Sequence, residues 1–166
     1  MIADTIATNV LFLCTGNSAR SILAEGILNH KAGGRFRAFS AGSQPSGRVR
    51  PEALRQLALA GISTEGLRSK SWDEFAGPDA PTMHFIFTVC DNAAHEVCPI
   101  WPGHPMTAHW GVADPAAVSG TPEEIARAFR DAFSILDRWI GLFLALPAAT
   151  LKSLAAQREL DRIGQQ

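Results

Sequence analysis

Asn9-Val10-Leu11-Phe12-Leu13-Cys14-Thr15-Gly16-Asn17-Ser18-Ala19-Arg20-Ser21 is an apolar run that ends in a cysteine, with an arginine six positions later. The pattern reads as a strand, an oxyanion-binding loop and the start of a helix. Five residues between Cys14 and Arg20 let the chain curl until backbone N–H groups converge on a tetrahedral anion, and the guanidinium closes the cradle with two hydrogen bonds. Thr15, Gly16, Asn17, Ser18, Ala19 and Arg20 are therefore the expected anion-binding residues. Loop amides, a helix N-terminus and Arg20 all favour negative charge, so Cys14 is expected to have a lowered pKa and to act as a nucleophile. A lone cysteine before a turn is more often a buried structural residue. Gly16, Ser18, Arg20 and Ser21 at these offsets favour the nucleophile.

Apolar runs alternate with helical patterns on both sides of this stretch. Residues 9–13 are apolar on both faces, as in a central parallel strand, and Ile22, Leu23, Ile27 and Leu28 recur at helical spacing. Residues 36–40 read as a second strand, ended by Ala41-Gly42. Pro51 opens a helix with Ala53, Leu54, Leu57 and Ala58 that stops at Gly61. Residues 85–89 form a third apolar strand ending at Cys90, and residues 106–109 a short fourth. Thr121-Pro122-Glu123-Glu124 supplies a cap, a proline at the first helical position and a capping-box acid. The helix that follows carries Ile125, Phe129, Phe133, Leu136, Ile140 and Phe143 along one stripe, and residues 151–163 read as a final short helix. This alternation predicts one α/β domain of three layers with a mainly parallel four-stranded sheet. Its expected extent is 9–146, after an N-terminal extension of residues 1–8 and before a helical extension of residues 147–166. In such sheets ligands bind beyond the carboxyl ends of the strands, where Cys14 and Cys90 both fall.

Composition excludes several classes of function. The 166 residues suit one domain with a single sizeable core, and a net charge of -1 gives no support to a nucleic-acid partner. The most apolar window, residues 139–146, is too short to span a membrane and ends at Pro147. Residues 1–8 lack a basic start and a long apolar core, so the expectation is a cytoplasmic protein, monomeric and without a membrane partner. Three cysteines make an odd set, which suits reduced, reactive thiols better than a static disulfide framework.

Cys90-Asp-Asn-Ala-Ala-His-Glu-Val-Cys98-Pro is the second chemical signal. Two cysteines eight apart can chelate a metal, but His95, His104 and His109 form no recognised zinc spacing with them, and that reading is the weaker. In a regular helix the two Cα atoms would lie about 12 Å apart along the axis. A disulfide needs about 4.4–6.8 Å, so a bridge between them demands local unwinding. Asp114-Pro115 is the third signal. Alone it reads as a turn; beside a cysteine nucleophile its carboxyl has the chemistry of a general acid for a departing oxygen.

These segments together, with Ser40-Ala41-Gly42, Ser69-Lys70-Ser71, Val89-Cys90-Asp91-Asn92, Cys98-Pro99 and Trp110-Gly111, resemble the arsenate reductases built on the low-molecular-weight tyrosine phosphatase fold. The resemblance covers about residues 9–146. It implies a three-thiol mechanism in which Cys14 attacks arsenate, the loop amides and Arg20 hold the oxygens, Asp114 protonates the leaving one and Ser21 hydrogen-bonds the thiolate. Cys90 would then attack Cys14, releasing arsenite, and Cys98 would attack Cys90. The resulting Cys90–Cys98 bridge would be reduced by an external thiol: thioredoxin, glutaredoxin or a low-molecular-weight thiol. Such a relay moves two oxidising equivalents from a closed pocket to a surface another protein can reach. No tightly bound cofactor is implied, but a potassium ion is, through Asn17, Glu25, Ser40 and Asp73. The chain departs from the thioredoxin-coupled pattern in having seven residues, not six, between Cys90 and Cys98, and Ala at position 19.

The rival reading is a phosphotyrosine or other phosphomonoester phosphatase, since phosphate and arsenate share shape and charge. Against it, the chain has no tyrosine, Ala116 stands where an aromatic after Asp-Pro would stack a phosphotyrosine ring, and a phosphatase needs neither Cys90 nor Cys98. A third reading, a redox-sensing or regulator-binding module without turnover, is disfavoured by the intact Cys14, Arg20 and Asp114.

Overall fold

The structure, a computed structural model, describes residues 8–90, 105–151 and 163. Strands β1 (Thr8–Cys14), β2 (Phe36–Gly42), β3 (Phe85–Thr88) and β4 (Met106–His109) form one all-parallel sheet in the order β2-β1-β3-β4. Helix α1 (Arg20–Lys31) joins β1 to β2, α2 (Pro51–Leu59) follows β2, and α3 (Pro122–Leu144) follows β4. Two 3-10 turns, Trp72–Phe75 and Pro115–Ala117, lie in the connections. The predicted α/β class and the four parallel strands are what the chain forms. Each strand begins or ends within about two residues of its sequence expectation, as hydrophobic pattern alone allows. The predicted last helix falls mostly on residues outside the described ones, and its two ends, Leu151 and Ile163, are helical.

Alternation along the strands sorts the core into two parts. Val10, Phe12, Phe36, Ala38, Phe85, Phe87 and Ala108 face the helices α1, α2 and α3, while Leu11, Leu13, Ala41 and Ile86 face Phe75 and Met83 on the other side. Three helices thus share one face. Among the described residues the second face is covered by the 3-10 turn Trp72–Phe75 and its neighbours. Cys14 has the parity of Val10 and Phe12, and so points to the helix side at the carboxyl end of β1.

The helix termini follow their local signals. Thr121 Oγ1 accepts from the Glu124 N–H and Glu124 Oε1 from the Thr121 N–H, both at 3.2 Å, closing the capping box of α3. Gly61, at φ 76, ends α2 with the Ile62 N–H on the Leu57 carbonyl at 2.9 Å, while both side chains are buried. Along α3, Phe129, Leu136, Ile140 and Phe143 are buried as the stripe predicts, with Trp139 added and Ile125 and Phe133 half-buried. No helix among the described residues is long and apolar enough to cross a membrane.

Candidate active site

Residues 15–19 form a loop between β1 and α1 whose carbonyls point outward. The Thr15 carbonyl accepts from Gln44 N–H, Gly16 from Ser46 N–H and Ser18 from Arg50 N–H, at 2.9, 3.0 and 2.9 Å. Because peptides are planar and trans, the N–H groups of Gly16, Asn17 and Ala19 turn the opposite way, toward the loop's interior. Asn17, at φ 46, takes the left-handed turn that Asn tolerates better than most residues. Its side chain is fully buried and doubly used: Nδ2 donates to Ser21 Oγ and Oδ1 accepts from the Lys70 N–H, both at 2.8 Å. Ser21, also fully buried, keeps its own proton to donate elsewhere.

The neighbouring strand end leaves no room for a side chain. A Cβ on Gly42 would run into the Thr15 carbonyl oxygen and come within 3.0 Å of the Cys14 carbonyl oxygen. Gly42 donates its N–H to the Lys70 carbonyl at 2.9 Å and pairs with Ser71, so residues 69–71 lie along the end of β2 and against the loop. Ser69 Oγ donates to the Gly16 carbonyl at 3.1 Å. The sequence shows Gly42 and Ser69 only as motif letters; their packing against the loop is visible only in three dimensions.

Arg20, the first residue of α1, reaches across to the segment after β4. Its Nη1 donates to the Val112 carbonyl at 2.9 Å and its Nη2 lies 3.5 Å from Asp114 Oδ2, while its buried Nε has no partner among the described residues. That orphaned N–H fits an oxyanion site, since a buried guanidinium donor is rarely left without an acceptor. Asp114 makes the turn its sequence suggested and turns its second oxygen toward Arg20. Its Oδ1 caps the turn Pro115–Ala117 by accepting from the Ala116 N–H at 2.9 Å, and its Oδ2 faces Arg20. Trp110, wholly buried and stacked on Phe87 with centroids 4.0 Å apart, fixes the start of this segment.

Cys14 and Cys90 are both buried and unbridged at the carboxyl ends of neighbouring strands β1 and β3. The Cys14 and Cys90 thiols are close neighbours whose ionisations influence each other, and Thr15 Oγ1 lies 3.6 Å from Cys90 Sγ. This corrects the sequence expectation for Cys14. The Cys90 thiol and burial push its pKa above the ordinary thiol value, against the pull of Arg20 and of the Asn17 amide. The motif displayed the cationic side of the loop but not the second thiol laid against it. Cys98, with His95 and His104, lies outside the described residues.

The four residues expected to hold potassium do not assemble as a set. Glu25 and Ser40 meet, with Ser40 Oγ donating to Glu25 Oε1 at 2.5 Å. The Asn17 side-chain oxygen is taken by the Lys70 N–H, and Asp73 is exposed on its 3-10 turn. The Lys70 ammonium stands among the remaining oxygens. The donor set present therefore does not fit a resident ion, and among the described residues no cluster of three His, Cys, Asp or Glu side chains could hold a metal.

A profile of the family described as "Low molecular weight phosphotyrosine protein phosphatase" matches residues 9–157. An arsenate reductase of Bacillus licheniformis is 37% identical over 116 residues, covering 69% of this chain and 79% of that protein. Among solved structures, an arsenate reductase from Archaeoglobus fulgidus superposes with a TM-score of 0.59 at 27% identity, covering 80% of this chain and 98% of that one. A thioredoxin-dependent arsenate reductase of Corynebacterium glutamicum shares the fold, with a TM-score of 0.56 at 23% identity over 85% of this chain and 65% of that one.

Proposed function

The chain belongs to the low molecular weight phosphotyrosine protein phosphatase family, and within that family we propose that it is an arsenate reductase driven by an internal thiol relay. One observation carries this reading over hydrolysis: a second buried, unbridged cysteine, Cys90, stands beside the nucleophile at the end of the neighbouring strand. A phosphatase transfers its phosphoryl group to water and has no use for that neighbour.

In the proposed sequence the inward N–H groups of Gly16, Asn17 and Ala19, with the rest of the loop 15–20 and the Arg20 guanidinium, bind the arsenate oxygens, replacing water by fixed dipoles. The Asp114 carboxylate takes the Cys14 proton as the anion binds, and the Ser21 hydroxyl donates to the thiolate that forms. Cys14 Sγ attacks arsenic, forming an S–As bond, while Asp114 gives a proton to the leaving oxygen, which departs as water. Cys90 Sγ then attacks Cys14 Sγ. The S–S bond forms, the S–As bond breaks, and its electron pair leaves with arsenic, so two thiols are oxidised as arsenate becomes arsenite. Cys98 displaces Cys14 from Cys90, and an external dithiol, thioredoxin in the first instance, reduces the Cys90–Cys98 bridge.

Purified protein given arsenate and thioredoxin with its reductase is expected to form arsenite with one NADPH consumed per arsenite. Glutaredoxin and a small thiol supplied separately identify the donor. Hydrolysis of aryl phosphates without arsenite in any of these mixtures would put the phosphatase reading first.

A further inference from the structure

Behind the anion loop, Lys70 is 7% exposed, and its ammonium lies between β2 and α1. Three oxygens surround it: the Arg68 carbonyl at 2.8 Å, Ser40 Oγ at 3.4 Å and Glu25 Oε1 at 3.8 Å. The first two accept hydrogen bonds from the ammonium, and the Glu25 carboxylate completes an ion pair with it. Burial pushes Glu25 up and Lys70 down, and each charge opposes the shift of the other. A buried carboxylate without a cation would be costly, so the pair needs both members. The main chain of the same residue holds the loop, through Lys70 N–H to Asn17 Oδ1 at 2.8 Å and the Lys70 carbonyl to Gly42 N–H at 2.9 Å.

We propose that Lys70 is a tethered monovalent cation: a positioning residue whose ammonium does among Glu25, Ser40 and the Arg68 carbonyl what a free potassium ion would do, making this chain independent of potassium. Carbonyl, hydroxyl and carboxylate oxygens are the hard donors that an alkali cation takes, and potassium and ammonium are close in size and charge. Removing the ammonium while keeping the main chain leaves those oxygens facing a cavity. Potassium is then the natural replacement, and it acts on the anion loop through the main chain of residue 70, which holds Asn17 and Gly42, without touching substrate. The activity part of this inference rests on the arsenate reductase reading; the stability part does not.

Lys70→Ala separates the two. Melting temperatures are compared in KCl, LiCl and choline chloride at one ionic strength of about 0.1 M, where long-range screening is the same for all three. Wild type is expected to melt at the same temperature in all three. Lys70→Ala is expected to melt about 5–10 °C lower in choline chloride, a shift of the size expected from losing a buried partner in a chain this long. KCl should restore at least half of that, saturably, while LiCl should not. With arsenate as substrate, the variant's KM should rise in choline chloride and return in KCl, with kcat changing less. Glu25→Gln/Lys70→Met, which removes both charges, should fold and respond to no salt. Saturable stabilisation of wild type by potassium would overturn the proposal. So would a Lys70→Ala protein that is indifferent to potassium or unfolded in every salt. If wild type forms no arsenite, the reductase reading fails on its own, and the melting series still decides the role of Lys70.

Discussion

On the side of the anion loop that faces Cys14, contacts are few and loose. Arg20 has one short bond to the Val112 carbonyl, a 3.5 Å approach to a 40% exposed Asp114 and a buried Nε without a partner among the described residues, and two coupled thiols lie at the same end of the sheet. On the reverse side, Asn17, Lys70, Ser40 and Glu25 are bonded one to the next, and all are buried or nearly so. The difference follows from what each side must do. Groups that exchange partners during a reaction need spare hydrogen-bonding capacity, whereas groups that hold the loop in shape need none. Strain such as the left-handed Asn17 persists because the reverse side over-determines it.

The contrast breaks most completely at Cys90. Cys90→Ala removes both the attacking thiol of the relay and the largest cause of the raised Cys14 pKa. Arsenite formation is expected to fall to background, while hydrolysis of p-nitrophenyl phosphate continues and Cys14 is alkylated at lower pH than in wild type. An unmoved alkylation profile would mean that Cys90 does not govern the nucleophile. Next in size is Arg20→Lys, which retains charge but loses the planar grip and the Nε donor. The loss expected in kcat/KM for arsenate is about 10²–10³-fold, typical of deleting an oxyanion donor. A kcat/KM within a factor of about three of wild type would show that charge alone suffices. Gly42→Ala tests the scaffold, since its Cβ meets the backbone of Thr15 and something must shift. A stability loss of about 1–3 kcal/mol is expected by denaturant unfolding.

The sequence made the loosely held side legible and the reverse side nearly silent. Cys14, Arg20 and Asp114 are far apart in the chain, yet each is a chemically conspicuous residue at a strand end or loop. The topology alone brings strand ends together. Lys70 is an ordinary letter between two serines, and its burial depends on residues 69–71 pairing with the end of β2. Local pattern does not carry a long-range pairing. For the same reason the sequence resemblance points to Asn17, Glu25, Ser40 and Asp73 as a potassium set without the lysine that stands beside the Glu25 and Ser40 oxygens. Fold was easier, because periodicities of two and 3.6 are local properties, and the capping box of α3 and Gly61 mark ends directly. The failed expectation at Cys14 has the same origin as the missed lysine: a pKa is set by whatever the fold lays beside the group.

The smallest effect bears on that failure. If Cys14 is held protonated by Cys90 and by burial, the unfolded chain loses this proton near the ordinary value of 9.0 while the folded protein keeps it. The unfolded state then binds fewer protons than the native state, so stability falls as pH rises above about 9, with a slope of at most about 1.4 kcal/mol per pH unit for one group. Below that pH Cys14 contributes no slope. Cys14→Ser has nothing to titrate at this position, so its urea-unfolding profile from about pH 8 to about pH 10.5, under a phosphine reductant, should be shallower than wild type by that one proton. A thiolate in the resting fold would give the opposite sign. Its native pKa would lie below 9.0, and wild type would gain stability relative to Cys14→Ser between that lower pKa and about pH 9. Such a gain would return Cys14 to the state its loop alone implies.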